Sequence, residues 1–221
     1  MSVSIFDKRS RILRFIQING VYIFLTELRR RAAVQFRRLM LRRVLRCPTI
    51  YLGPNCHLRG LSYIQLGKNF SAAGELWMEA IHEHNGTFYN PSIIIGDDVA
   101  ISRWSHIAAA HSVQIGNGVL IGSKVIIIDH NHGTYRGKGS DPTLAPYQRS
   151  LSSDLSVVVG DNVWIGDGVV IGPGSVIGEG SIIGANSFVT GFIPPFCIAV
   201  GSPARPTKTY DFTLQKWVPV K

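Results

Sequence analysis

The sequence predicts an all-β solenoid, a parallel β-helix with a basic α-helical extension at its N-terminus. Three observations predict it. From residue 159 onward an aliphatic side chain stands at every sixth position, at Val159, Ile165, Ile171, Ile177, Ile183 and Val189. Glycine follows the first five of these, at 160, 166, 172, 178 and 184, against an average usage of roughly 7%. The same phase appears upstream at Ile95, Ile101 and Ile107, then at Ile115, Ile121 and Ile127, and more faintly from Leu52-Gly53 and Leu66-Gly67. Each hexad is one short strand and a turn, and stacking buries a column of aliphatics that no single repeat buries alone. Strands of an ordinary sandwich would alternate at variable spacing instead of keeping to sixes.

The elements follow in chain order. Residues 1–46 hold twelve Lys/Arg against Asp7 and Glu27, a net of +10, so the formal +9 of the whole chain belongs to this segment. Such a charge points to an anionic partner: lipid head groups, nucleic acid or an acidic protein. Leu28, Ala32, Phe36, Leu39 and Met40 recur at helical spacing among Arg29, Arg30, Arg37, Arg38, Arg42 and Arg43, which predicts an amphipathic helix. Phe15–Thr26 carries no charge over twelve residues, well short of the roughly 20 needed to span a bilayer. Its length suits the apolar core of a signal peptide, but Gln17, Asn19 and Gly20 interrupt it. Glu27 and three arginines then stand where a small-residue cleavage site belongs, so cleavage is not expected. Residues 1–48 therefore read as a pair of basic helices lying on an anionic membrane face or capping the next domain. Nucleic-acid binding is not expected, since no recognition motif accompanies the charge.

Residues 49–210 form the solenoid domain and 211–221 a C-terminal tail. Small or β-branched residues fill the fourth place after each aliphatic, at Val163, Val169, Ser175, Ser181 and Ser187. The three cysteines, Cys47, Cys56 and Cys197, are scattered and odd in number, which points to a reducing compartment and to neither a disulfide framework nor a structural zinc site.

Between Ile127 and Val159 the sixes fail. The inserted loop 129–155 is polar, rich in Gly, Pro and Ser, and too long for an ordinary connection, so function is expected there. Its entrance carries Asp129, His130 and His132. An imidazole with a pKa near 6.5 can take the proton of an attacking hydroxyl and later return it to a leaving thiolate. A carboxylate or carbonyl must fix the tautomer of such a base, and Asp129 is the expected orienter.

The hexads, followed by "VGSPARPTK" at 200–208, resemble the left-handed β-helix acyltransferases of the hexapeptide-repeat family over roughly residues 50–210. The resemblance implies a left-handed coil of three hexads, an exception to the usual crossover hand, and a homotrimer using acetyl-CoA as co-substrate without a metal. In the family's sugar O-acetyltransferases the catalytic histidine stands five residues beyond the last in-phase aliphatic. Here that aliphatic is Ile127, and the match is His132, with His130 out of register in a supporting role. "DHNHGTY" is most similar to the enzymes that O-acetylate bacterial O-antigen, capsule or exopolysaccharide. The resemblance further places Trp164, Gly166, Ala185, Thr190, Arg205 and Lys208 along the coenzyme. The family often follows the threonine with Lys and an acid, whereas Gly191-Phe192 follow Thr190 here. Asn90, with the polar residues around His82–Tyr89, and Tyr135 are acceptor-side candidates.

The expected function is acetyl transfer from acetyl-CoA to a sugar hydroxyl of a surface polysaccharide or its lipid-linked precursor. The expected location is cytoplasmic, peripheral at the inner face of the inner membrane. Three other readings stand beside it: an N-acetyltransferase, a zinc protein like the γ-carbonic anhydrases using His106 and His111, and a catalytically silent scaffold.

Overall fold

The computed structural model describes residues 5–45, 47–135, 137, 139–152 and 154–220. The side chains of Arg30, Arg37 and Arg38, part of the expected basic stripe, lie outside the described residues. The chain forms two compact units, residues 1–41 and 42–221, dividing a few residues before the boundary expected at 48. The first unit is helical, within α1 (Ile5–Val44). Gly20 leaves the helical region (φ 82°, ψ 159°) and breaks the run into two stretches. The break resets the helical phase, so the apolar side chains of the run as a whole are not sorted to one face. Leu13, Ile18, Val21, Tyr22 and Leu28 are all exposed. Among the described residues no helix is long and apolar enough to cross a membrane.

The second unit is a left-handed parallel β-helix with three faces, each a ladder of short parallel strands one coil apart. The first face runs through Ala100–Ile101, Leu120–Ile121, Trp164–Ile165 and Ile182–Ile183. Trp77–Ala80, His106–Ala109, Ile126–Ile128 and Val170–Ile171 belong to the second, and Ser92–Ile95, Ser112–Ile115, Val157–Val159 and Val176–Ile177 to the third. Register explains the sixfold period. Ile101, Ile121, Ile165 and Ile183 align along the first face, Ile107, Ile127, Ile171 and Val189 along the second, and Ile95, Ile115, Val159 and Ile177 along the third. All of them are buried, at roughly 1.5–3 kcal/mol of transfer free energy per side chain.

The corners are closed by polar side chains aimed at the preceding coil. Asp167 accepts the Ser123 N–H at 2.6 Å, and Asp161 the Asn117 N–H at 2.7 Å. Asn117 in turn accepts the Asp97 N–H at 2.8 Å, and Asp97 the Lys68 N–H at 2.7 Å. The small residues of the fourth place point inward: Val163, Val169, Ser175, Ser181 and Ser187 are buried. Ser175 satisfies its hydroxyl on the carbonyls of Gly172 and Val189.

The segment 211–221, expected as a tail, instead completes a sheet. Lys216–Pro219 pairs antiparallel with Ala204–Asp211, which pairs antiparallel with Cys197–Gly201 at the end of the first face. Edge-to-face packing of Tyr210 on Phe212 and Trp217, and of Phe212 on Phe196, holds this hairpin. Cys47, Cys56 and Cys197 are all buried and no disulfide joins them.

Candidate active site

The solenoid carries two insertions, and both leave from the corner between the second and third faces. The first occupies the connection between Trp77–Ala80 and Ser92–Ile95, the second that between Ile126–Ile128 and Val157–Val159. One uninterrupted coil lies between them, turning the same corner at Ala110-His111. Strands in a ladder are about 4.8 Å apart, so the two insertions start roughly 10 Å from one another along the solenoid and can meet across that corner.

They do meet. The first insertion is a hairpin, Glu83–His84 against Thr87–Phe88. Its tip is Asn85-Gly86, both at positive φ (50° and 76°), the type I′ pair that suits a two-residue hairpin. The Tyr147 carbonyl of the long loop lies 3.1 Å from His84 Nε2 and accepts from the Asn85 amide. The Leu151 N–H donates to the Tyr89 hydroxyl at 2.8 Å.

His132 is exposed and sits in an irregular strand that bridges antiparallel to Leu151. Gly133 N–H donates to Ser150 O at 2.9 Å and Ser152 N–H to Asn131 O at 3.0 Å, fixing the backbone on both sides of it. Its ring stands edge-on to that of His84, with centroids 5.3 Å apart. Partial burial pulls the His132 pKa below its ordinary 6.5, and the neighbouring His84 and His130 pull it the same way, while a hydrogen bond to the Pro146 carbonyl opposes them. The net direction leaves a neutral ring at neutral pH, which a general base needs.

Asp129 does not orient His132 as the sequence suggests. It is completely buried: Oδ1 accepts the Ala110 N–H and lies 2.8 Å from His130 Nδ1, and Oδ2 accepts the His111 N–H at 2.8 Å. The reason is positional. Asp129 follows Ile128 directly at the corner, so its carboxylate reaches the amides of the adjacent coil and caps them; its imidazole partner is His130, itself nearly buried. The acceptor that reaches His132 is the Pro146 carbonyl, a loop backbone group with no sequence signature.

Tyr135, expected to hold the acceptor, is engaged within the loop: its hydroxyl donates to the His132 carbonyl at 2.6 Å and accepts from Arg149 at 3.1 Å. Arg149 also donates to the carbonyls of Leu144 and Pro142. It pins the loop, and sequence reading passed over it. His106 and His111 occupy one coil but are used separately. His106 stacks on Trp77 with centroids 4.5 Å apart, and burial, more than the opposing effect of Glu79, lowers its pKa. His111 lines a cleft with Asn90. Among the described residues no group of three His, Cys, Asp or Glu side chains is placed to hold a metal ion.

The expected coenzyme residues form one row and one outlier. Trp164 pairs with Ile182, Ile182 with Ile198, and Ile198 with Lys208. This outward row on the first face spans roughly 14 Å at three strand spacings. Arg205 lies on the same terminal strand, and both cations are exposed. Gly166 turns the corner at the row's edge, where a β-carbon would stand 2.7 Å from the Ala185 nitrogen; nothing larger fits. Thr190 is not beside them. It follows Phe188–Val189 at the next corner, a full strand away from Ala185.

The profile of the family described as bacterial transferase hexapeptide (six repeats) matches residues 156–191. Over 164 residues the chain is 37% identical to WbbJ of Escherichia coli (strain K12), named for O-acetyl transfer in lipopolysaccharide biosynthesis, covering 73% of this chain and 80% of that one. Among solved structures, AntD, an N-acyltransferase from Bacillus cereus in complex with dTDP and 3-hydroxybutyryl-CoA, superposes with a TM-score of 0.61 at 19% identity, covering 76% and 84% of the two chains. The hexapeptide-repeat containing acetyltransferase VCA0836 from Vibrio cholerae does so with a TM-score of 0.50 at 22% identity, covering 80% and 81%. At those identities the two structures speak to the fold.

Proposed function

The chain belongs to the bacterial hexapeptide-repeat transferases and is an acyltransferase, and from that premise we propose that it moves acetyl groups from acetyl-CoA to a sugar hydroxyl of a surface polysaccharide or its lipid-linked precursor. The observation that carries this reading is His132: an accessible imidazole with a lowered pKa, fixed by backbone on both sides, at the corner where two insertions meet.

The chemistry follows from that ring. A sugar hydroxyl is a weak nucleophile at neutral pH. His132 accepts its proton as the oxygen attacks the thioester carbonyl, then returns the proton to the departing thiolate as the C–S bond breaks. The Pro146 carbonyl, which raises the pKa of the ring, takes the role first given to Asp129. Asp129 and His130 act beneath it, fixing the Ala110-His111 corner. Arg205 and Lys208 suit the phosphates of the coenzyme, a chemistry that needs cations, and Trp164 with the Gly166 corner supplies a flat surface for its chain. Assembly is as a homotrimer, with the coenzyme between subunits.

Residues 1–46, at net +10 and with exposed Ile18, Tyr22, Ile23 and Leu25, bring the enzyme to an anionic membrane surface where lipid-linked saccharides reside. That surface is the cytoplasmic leaflet, where acetyl-CoA is available.

Radiolabelled acetyl-CoA incubated with lipid-linked oligosaccharide tests the transfer. Label should enter the saccharide as an alkali-labile ester locatable by NMR; an alkali-stable amide, or no transfer, contradicts the reading. Deleting residues 1–46 should abolish co-sedimentation with vesicles containing anionic lipid, and unchanged sedimentation contradicts the membrane role.

A further inference from the structure

A cleft of about 830 Å³ lies beside the site, on the side of the third face. It shares walls with the site without containing His132. Leu151 lines it and also bridges to His132. Ala110 and His111 line it through the corner that Asp129 clamps. Tyr89, whose hydroxyl holds Leu151 N–H, forms another wall. Both insertions are therefore needed to make the cleft, as they are to place His132 against His84.

The chemistry of the lining is specific. Among the described residues, none of the lining side chains is Lys, Arg, Asp or Glu, although the chain as a whole carries 23 basic and 14 acidic residues. Asn90 and Gln114 supply amides, His111 an imidazole, and serines and a threonine supply hydroxyls. These groups both donate and accept hydrogen bonds. Phe88, 78% exposed, adds an aromatic ring to the lining. Nucleoside diphosphates call for cations, and the lining offers none. Neutral polyhydroxylated rings, which exchange hydrogen bonds in both directions and lay apolar C–H faces on aromatic rings, match it throughout.

We propose that this cleft binds an uncharged oligosaccharide segment of the acceptor, flanking the sugar that His132 serves, and that it selects glycan chains over nucleotide sugars. The proposal rests on the O-acetyltransferase reading for its biological sense, but its test does not need turnover. Saturation-transfer NMR on the full chain without acetyl-CoA would be run against a panel of neutral linear trisaccharides (glucan, mannan and galactan), with dTDP-glucose as the charged comparison. At least one trisaccharide should show transfer. Phe88→Ala and Gln114→Ala should each weaken its binding about tenfold, while Lys216→Ala, exposed on the terminal strand, should leave it unchanged. No transfer to any trisaccharide, equal or stronger binding of dTDP-glucose in the cleft, or trisaccharide binding insensitive to both substitutions would overturn the proposal. Loss of acetyl transfer with trisaccharide binding intact would count against the catalytic reading and in favour of the cleft.

Discussion

The corner between the first and second faces and the corner between the second and third are built from the same backbone and put to opposite uses. The first is closed at every coil of the regular region. Gly166 abuts the next coil too closely for a β-carbon, Asp167 caps the coil before it, and the chain never departs from register. The second is opened twice, and both departures are polar, hydrogen-bonded to each other and rich in histidine. Close packing of the first kind makes a rigid rod. The rod then holds the second corner so that residues nearly fifty positions apart, His84 and His132, come into contact. The closed corner and the candidate site are thus segregated within a single repeat.

Several substitutions would sharpen or break that contrast. The largest effect on stability belongs to the aliphatic column. Ile165→Ala should cost about 2–5 kcal/mol in chemical denaturation, because a packed stack cannot collapse around the void, with specific activity of the folded fraction retained. A loss under 1 kcal/mol would mean that the column is not the scaffold. Asp129→Asn comes next, since one amide cannot replace two carboxylate oxygens accepting from Ala110, His111 and His130. It should cost about 1–3 kcal/mol and reduce turnover as well, because the clamp joins the start of the long insertion to the closed coil beside it. If stability falls while turnover holds, the clamp is structural only.

Smaller again is Gly118→Ala. Gly118 sits at φ 64°, with the Asn162 side-chain oxygen 2.6 Å from where a β-carbon would lie. About 1–2 kcal/mol should be lost, with no effect on kcat, as expected of a corner without chemistry. The smallest effect is one of pH. With His132 as the proposed base, turnover would require its unprotonated ring, so the acid limb of kcat/KM should lie below pH 6.5, in the direction of the lowered pKa. His84 is one cause of that lowering, so His84→Ala should move the limb upward toward 6.5. A limb that stays in place would separate the hairpin from the site.

The scaffold was legible because its period is local: Ile165, Ile171 and Ile177 announce their shared core by spacing alone, while His132 was reached through the family resemblance, counted from Ile127. The partners of His132 were not legible. His84 lies in another insertion, and nothing in the spacing from His84 to His132 says that one coil corner separates them. Asn85-Gly86, a dipeptide suited to a two-residue hairpin turn, says nothing of what that hairpin touches. Asp129 looked like an orienter by adjacency, yet its depth at the corner committed it to backbone amides. The Pro146 carbonyl, like any backbone group, leaves no mark in the residue order. The final strand, Lys216–Pro219, was missed because its sheet partner is an antiparallel strand outside the hexad phase.

The account turns on the second corner being catalytic through one ring. Thiol release from acetyl-CoA by a His132→Ala enzyme, assayed with acceptor saccharide and alongside its melting temperature, tests this most directly. Turnover should fall about 10²–10⁴-fold with the melting transition unmoved, because the ring is exposed and the loop is held by backbone bonds. Thiol release within a few-fold of the parent from an equally stable protein would contradict it.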